Sequence, residues 1–276
     1  MQGPAPRGRR RAGPILCIAI LCLVWRPGLG MTLSVAVEDA DNRPLEYVDA
    51  AGRPTGFHIE LVRRVAARLG WQVSFDRVPW QRAQVLLEVG SVDAVTYLVR
   101  SPVREAYAVF LPDNRLSESG LDLWVLKSRL DEIRWQPPLS QMMGRWRLGG
   151  IQGWYYNDDY KTAEAKGAPL DLSAPTNIGL ARMLLAGRID IALAEPGFLD
   201  QVKPELPEVA DRIAILPGSA LPGSPVYIGF TRKADGPAKA KDFAAAYAAW
   251  RNTPDYGALI EQFGVADRVK FESLPD

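Results

Sequence analysis

The chain has 276 residues, of which 33 are basic, 32 are acidic and one is a histidine. Without an excess of basic residues, the composition argues against a nucleic-acid partner, whose binding requires a basic face. A Ser-His-Asp triad needs a histidine and a histidine metal centre needs several, and His58 is the only histidine of the chain. No nucleotide-binding glycine loop occurs. We therefore predict no catalytic residue, metal site or cofactor.

Residues 1–30 are predicted to be a secretory signal peptide. Four arginines precede the apolar run Ile15–Trp25, which is shorter than the roughly 20 residues of a membrane-spanning helix. Small glycine residues then precede Met31, as a cleavage site requires; an uncleaved membrane anchor is the alternative. The chain from Met31 has 28 basic and 32 acidic residues and no cysteine, which is typical of a periplasmic protein whose core needs no disulfides.

In the first part of the chain, short strands alternate with helices. Alternating and β-branched apolar residues predict strands, and apolar residues at helical spacing, ended by glycine, predict helices. The predicted strands are Thr32–Val37, Val73–Phe75 and Asp93–Tyr97, and the predicted helices are Phe57–Leu69 and Trp80–Val89. This order predicts βαβ units and a mainly parallel sheet.

A further helix is predicted to start at Ser101 and Pro102, because serine is a preferred N-cap and proline favours the first helical position. The free N–H groups of such a helix start can bind an anion. Arg104 adds a guanidinium fork that fits a carboxylate. The alternative is an ordinary capped helix in which Arg104 pairs with Glu105 or with another part of the protein.

The second part of the chain repeats the alternation between two proline-rich connections, residues 128–141 and 216–225. The predicted strands are Leu121–Lys127, Arg147–Ile151, Ile189–Ala194 and Val226–Thr231, and the predicted helices run from after Trp154 to about residue 166, Asn177–Ala186, Ala238–Arg251 and Tyr256–Phe263. If the elements after the second connection pack on the first part, the chain crosses twice between two bodies. Two crossings form a hinge, with a ligand cleft between the bodies.

An internal similarity supports two related bodies. The end of an apolar helix, Gly90 and Asp93 recur 97 residues later as a helix end, Gly187 and Asp190. This separation is too large for a solenoid repeat. It predicts two similar α/β lobes, with residues 31–120 and 223–276 in lobe 1 and residues 121–222 in lobe 2.

Several sequence blocks, in the same order, resemble those of bacterial extracellular solute-binding proteins of family 3, the polar amino-acid type. The blocks are Gly56-Phe57-His58-Ile59-Glu60-Leu61, Trp80 to Asp93-Ala94, Ser101-Pro102-Val103-Arg104 to Phe110, Ile151-Gln152-Gly153 and Gly187-Arg188-Ile189-Asp190. The resemblance implies an α/β, two-lobe periplasmic binding protein fold, in which each lobe is a mainly parallel sheet flanked by helices and two hinge crossings join the lobes. It also implies delivery of an amino acid or related solute to an ABC importer.

The resemblance further implies roles for single residues. Arg104 matches the arginine that grips the ligand α-carboxylate, and Glu195 matches the acidic residue that holds the α-ammonium group. Glu38, at the end of the first strand, and Trp80, at the start of the second helix, match residues that line the cleft.

The chain also departs from the family pattern. The stretch Thr96-Tyr97-Leu98-Val99-Arg100, in which small hydroxyl residues are usual, is bulky and has an extra arginine, and Trp154 and Tyr155 stand where threonine or serine is usual. We therefore expect a narrower, more aromatic and more cationic cleft, which favours a dicarboxylate, an aromatic acid or a modified amino acid. The residues of these two stretches that we expect to line it are Thr96, Tyr97, Arg100, Trp154 and Tyr155. Arg100 has the alternative role of clamping one lobe to the other.

The prediction is a monomeric periplasmic protein that captures a small anionic or zwitterionic solute, with an ABC permease or a membrane sensor as its partner. Two alternatives stay open. One is a dehydratase-like enzyme that uses Glu38 or Glu195 as its acid, and the other is an accessory that presents ligand to a membrane sensor.

Overall fold

A computed structural model describes residues 3, 31–154, 156, 160, 165 and 170–269. The predicted signal peptide, apart from Gly3, and most of the helix predicted after Trp154 therefore lie outside the described residues. Within the described residues, every helix is too short or too polar to cross a membrane. The described residues from Met31 onward form a compact unit.

The described residues form short strands and helices that alternate along most of the chain. The strands are β1 Thr32–Glu38, β2 Tyr47–Val48, β3 Pro54–Thr55, β4 Gln72–Val78, β5 Ala94–Val99, β6 Ala108–Val109, β7 Arg115–Leu126, β8 Leu148–Ile151, β9 Asp171–Ala174, β10 Ile191–Ala194, β11 Ile213–Ile215 and β12 Leu221–Thr231. The helices are α1 Phe57–Arg68, α2 Trp80–Val89, α3 Pro102–Glu105, α4 Leu139–Met143, α5 Asn177–Leu185, α6 Phe198–Val202, α7 Val209–Arg212, α8 Gly236–Arg251 and α9 Pro254–Phe263.

One hydrophobic core is built around the parallel strand order β4-β1-β5, with β12 antiparallel beside β5. Helix α1 buries Phe57, Leu61 and Val65 at helical spacing against this sheet. The closing helix α8 adds the buried Tyr247 to the same core. We call the part of the fold around this core lobe 1.

Two further cores lie on opposite faces of the parallel strands β9-β8-β10, with β7 antiparallel beside β10. Strand β10 shows why. Ile191 and Leu193 belong to one core, and Ala192 and Ala194 belong to the other. A strand that is covered on both faces is a continuous apolar run. We call this part lobe 2, and the two α/β lobes confirm the predicted fold class.

Strands β7 and β12 cross between the lobes and pair with each other antiparallel. Ser117 lies opposite Val226 and Leu121 lies opposite Leu221, with irregular register on both sides of the crossing. Strand β7 begins before the strand predicted at Leu121, and the segment 216–225, predicted as a linker, is strand from Leu221. The crossings are therefore paired strands and not loose linkers. The predicted residue boundaries of the lobes stay a prediction.

The internal similarity has the same structural role in both lobes. Gly90 and Gly187 have positive φ angles of 78° and 67° after α2 and α5. Asp93 then accepts a hydrogen bond from the main-chain N–H of Ser34 at 2.8 Å, and Asp190 accepts one from the main-chain N–H of Arg147 at 2.9 Å. Each aspartate thus ties the start of one strand to its parallel neighbour.

The Asp190→Asn variant tests this strand tie. Burial raises the pKa of Asp190, but the hydrogen bonds from Arg147 and Arg129 outweigh burial and bring the pKa to about 2. The variant should lose about 1–3 kcal/mol of unfolding free energy, measured by urea titration at neutral pH. The difference should shrink as the pH falls below 3.8 towards 2, because protonation then removes the same carboxylate from the wild type.

The matched control for this variant is Asp131→Asn in the same lobe. The Asp131 side chain is fully exposed, and its substitution should change stability by less than about 0.5 kcal/mol. Equal effects of the two substitutions would contradict the role assigned to Asp190.

Candidate functional site

A small buried cavity lies where the two lobes meet. Its volume is about 30 Å³, which is space for a few water molecules. Six of the nine predicted site residues line it together with four others: Glu38, Trp80, Tyr97, Val99, Arg104, Ser119, Leu121, Trp154, Glu195 and Ser224. The strands β1, β8 and β10 end near this point. Ligands bind at the carboxyl ends of parallel strands in open α/β sheets.

A larger cleft of about 540 Å³ lies beside this cavity. Glu38, Trp80 and Trp154 line both spaces, so these three side chains separate the inner cavity from the outer cleft. The outer cleft also carries the ion pair of Asp39 with Arg77 at 3.0 Å. A solute that enters the inner cavity from this side must pass the two indole rings.

Glu38 is a buried carboxylate held by neutral partners. Asn42 donates to it at 3.0 Å, and Trp154 provides a second side-chain hydrogen bond. Burial, and then repulsion from Glu46 and Glu195, raises the pKa of Glu38 to about 7. Near neutral pH, the protonated and the ionised forms of Glu38 are therefore both populated, and a cation placed beside the carboxyl group would favour the ionised form.

The guanidinium group of Arg104 is aimed across the boundary between the lobes. It donates to the Val99 carbonyl at 2.8 Å, to Gln84 at 3.2 Å and to the Gly153 carbonyl of lobe 2 at 3.0 Å. The indole N–H of Trp80 donates to the same Gly153 oxygen at 3.0 Å. Arg104 is only 6% exposed, so its charge is directed into the protein.

The helix that carries Arg104 is a single turn, Pro102–Glu105. Its Arg104 N–H donates to the Ser101 hydroxyl at 3.4 Å, as the N-cap prediction requires. One turn has little helix dipole. This helix start therefore does not provide the expected anion site, and the cationic group that the segment directs into the protein is the Arg104 side chain.

Glu195 follows β10 in lobe 2 and is almost fully buried. The Tyr97 hydroxyl of lobe 1 lies 2.5 and 2.6 Å from its two carboxylate oxygens. The Ser119 hydroxyl on the crossing strand β7 donates to it at 2.8 Å, and Arg268 approaches to 3.8 Å. The carboxylate is therefore held by donors that lie outside lobe 2.

Tyr97 reaches Glu195 because β5 has a bulge at this point. Leu98 pairs with Tyr227 and Val95 pairs with Gly229, so Thr96 and Tyr97 together face one residue of β12. Tyr97 has a positive φ angle of 63°, which costs about 1–3 kcal/mol for a residue other than glycine. Bulges of this kind redirect side chains beside functional sites.

Two of the predicted site residues that the structure describes, Thr96 and Arg100, are not among those that line the cavity. Thr96 is fully buried in the bulge. Arg100 is exposed and forms an ion pair with Glu105. Arg100 therefore does not bring its charge to the cavity, whose described lining residues include two glutamates and one arginine. Tyr155 lies outside the described residues.

The prediction missed Ser119 and Ser224, which line the cavity from the two crossing strands. They lie opposite each other in the pairing of β7 with β12. The alternation of Ser117 and Ser119, which places both side chains on one face of a strand, was a sequence signal for polar residues at this site. That this face lines a cavity depends on the pairing of β7 with β12, which sequence periodicity does not reveal.

A buried hydrogen-bonded chain lies behind Tyr97. His58 contacts Glu46 through Nδ1 and Ser117 through Nε2, both at 2.9 Å, and its ring packs 5.5 Å from the Tyr97 ring. The order of groups is that of a catalytic triad, but His58 and Ser117 are 0% exposed. The hydrogen-bonded chain therefore supports the cavity wall behind Tyr97.

Comparison with known sequences gives one family match. The model of the bacterial extracellular solute-binding proteins, family 3, matches residues 33–264. A search of curated proteins found no match.

Solved structures with similar folds are numerous. An ancestral arginine-binding protein bound to arginine has 21% identity and a TM-score of 0.68, with 84% of this chain and 97% of that chain covered. A histidine kinase sensor domain similar to periplasmic binding proteins has 20% identity and a TM-score of 0.67, with 85% and 96% covered. An ancestral amino-acid-binding protein, a precursor of cyclohexadienyl dehydratase, has 20% identity and a TM-score of 0.64, with 84% and 95% covered. At these identities the similarity establishes the fold.

Proposed function

Because this chain belongs to the bacterial extracellular solute-binding proteins of family 3, we propose that it captures a small amino-acid-like solute in the periplasm by closing its lobes. The observation that carries this proposal is the convergence of Arg104, Glu38 and Glu195 on one cavity between the lobes. A zwitterion complements this set, with its carboxylate at Arg104 and its ammonium group near the two glutamates.

The charges of the cavity favour a zwitterionic or basic solute over a dicarboxylate. Among the described residues that line the cavity, two are carboxylates and one is a guanidinium group, and Arg268 approaches Glu195 only to 3.8 Å. Arg100 pairs with Glu105 elsewhere. A second carboxylate on the solute would lie near Glu38 or Glu195, where like charges repel each other. The indoles of Trp80 and Trp154 add flat apolar walls for the carbon chain of the solute.

Entry of the solute requires the lobes to separate, because the cavity holds only a few water molecules. Differential affinity for the closed arrangement then drives closure. We propose that the closed, loaded protein delivers its solute to an ABC importer. A sensor is the alternative partner, and pull-down of a permease or of a sensor kinase by the loaded protein distinguishes the two.

A thermal-shift screen of the chain from Met31 tests the proposed function. Neutral, basic and acidic amino acids, dicarboxylates and aromatic acids form the panel. A solute at 100 times its Kd should add about 2.7 kcal/mol of stability, which raises the melting temperature by roughly 5–10 °C at this size. A panel in which only dicarboxylates stabilise the protein would contradict the proposed ligand class, and a flat panel would contradict amino-acid capture.

A specific observation also favours a second candidate, a dehydratase-like enzyme. Glu38 is a buried acid whose pKa is about 7, and an acid poised near neutral pH is suited to proton donation. It would protonate a leaving hydroxyl group, which departs as water when its C–O bond breaks. The new double bond takes the electron pair of an adjacent C–H bond, whose proton passes to water, or of an adjacent C–carboxylate bond, whose carboxylate leaves as carbon dioxide. Incubation with cyclohexadienyl and hydroxy acids, followed by product analysis, separates the candidates, since a binding protein leaves its ligand unchanged.

A further inference from the structure

Both charged groups expected to hold the solute already have partners from the opposite lobe. The Gly153 carbonyl of lobe 2 accepts a hydrogen bond from Arg104 of lobe 1 at 3.0 Å. The Tyr97 hydroxyl of lobe 1 lies 2.5 and 2.6 Å from the carboxylate of Glu195 in lobe 2. The lobes are therefore held together by protein groups in the places assigned to the carboxylate and the ammonium group of a solute.

The contact of Tyr97 with Glu195 depends on local features that orient the phenol. The bulge in β5 and the positive φ angle of Tyr97 direct its ring away from the regular strand face. The ring packs against His58, which is fixed by Glu46 and Ser117. A strained backbone held by such contacts is a frequent feature of functional sites.

We propose that Tyr97 is a specificity-determining residue. Its phenol contacts Glu195 in the place that a solute ammonium group would take. A solute then binds by displacing the phenol from Glu195. This inference rests on the proposed function. A neutral phenol donates one hydrogen bond, whereas an ammonium group brings a positive charge and three donors. An ammonium-bearing solute competes for Glu195, and a solute without a cationic group does not.

The Tyr97→Phe variant tests this inference, because it keeps the buried ring and removes only the hydroxyl group. The probes are glycine, L-alanine, L-lysine and L-arginine, with succinate as the probe without an ammonium group. Calorimetry should give affinities for ammonium-bearing probes about tenfold or more above those of the wild type, since a charge-assisted hydrogen bond no longer has to be broken. The affinity for succinate should not increase.

Tyr247→Phe is the matched control. Its hydroxyl is also fully buried and contacts the Tyr256 hydroxyl at 3.1 Å inside lobe 1. This variant should bind every probe as the wild type does. Unchanged or weaker binding of ammonium-bearing probes by Tyr97→Phe would overturn the inference, because the phenol would then only orient Glu195 or contact the solute directly.

Small-angle scattering without solute gives a readout that needs no ligand. The radius of gyration of Tyr97→Phe should exceed that of the wild type, because one of the contacts between the lobes is lost, and an equal radius would overturn the inference. If none of the probes binds the wild type or the variant, the proposed function fails while scattering still decides the role of Tyr97. Should Tyr97→Phe fail to fold, Ser119→Ala removes the other hydroxyl on Glu195 and should shift both readouts in the same direction.

Discussion

Replacement of Arg104 with alanine is expected to weaken solute binding about ten- to a hundredfold, the value of one charge-assisted hydrogen bond or more. The guanidinium group supplies the positive charge for the solute carboxylate in the proposed complex. It also stacks 5.5 Å from the Trp80 ring and holds the Val99 carbonyl. The variant should therefore also lose stability, and binding is measured by calorimetry at a temperature where circular dichroism shows it folded.

Arg100→Ala is the control, because it removes a guanidinium group four residues away. Arg100 is exposed and pairs with Glu105, and its removal should change the affinity less than twofold. A third variant, Arg104→Lys, keeps the charge and loses the fork geometry, so its affinity should lie between those of the wild type and Arg104→Ala. If Arg100→Ala weakens binding as strongly as Arg104→Ala, the assignment of the carboxylate to Arg104 is wrong.

The second large effect is the pH dependence that Glu38 gives to stability. Burial raises the pKa of Glu38 from 4.5 to about 7 in the folded protein. Between these values the folded state holds a proton that the unfolded state has lost, so stability falls as the pH rises. The unfolding free energy should fall by about 3 kcal/mol because of this group, since each unit of the pKa difference between the folded and unfolded states contributes about 1.36 kcal/mol.

The Glu38→Gln variant removes this titration. Urea titrations at several pH values should show that the variant gains stability relative to the wild type from pH 4.5 to 7, by up to about 3 kcal/mol. The other charged groups that face Glu38 are the carboxylates of Glu46 and Glu195. Both stay in place in the variant. Glu261→Gln, on the exposed side of α9, should leave the pH slope of the wild type unchanged, and a slope in Glu38→Gln equal to that of the wild type would exclude Glu38 as its source.

Much of the fold could be predicted because the information is local. Helix α2 begins at Trp80 and ends at Val89 as predicted, since buried positions at helical spacing and the left-handed cap at Gly90 lie within a dozen residues. The glycine at the start of the block Gly56–Leu61 also has a structural reason close by in the chain. At its φ angle of 118°, a Cβ atom would lie 2.3 Å from the Leu45 carbonyl oxygen, so glycine is required.

The position of Tyr97 could not be predicted in the same way. Alternation along β5 predicts which face each side chain takes, but the bulge depends on how β5 pairs with β12, more than a hundred residues later. The same holds for Arg100 and Arg104. Both are arginines near one helix start, and only the packing of Gln84 and Gly153 around Arg104 separates the cavity residue from the exposed one.

The paired crossing of β7 and β12 restricts how the lobes can move. Two separate linkers would allow one body to slide, twist and tilt independently of the other. Because Ser119 lies opposite Ser224 within one antiparallel ribbon, neither crossing can bend without the other. The register is irregular on both sides of this pair, and irregularities of this kind bend and twist a ribbon locally. Opening is therefore expected to be a rotation about a single axis through the ribbon, so that the two cavity walls always separate and meet in the same alignment.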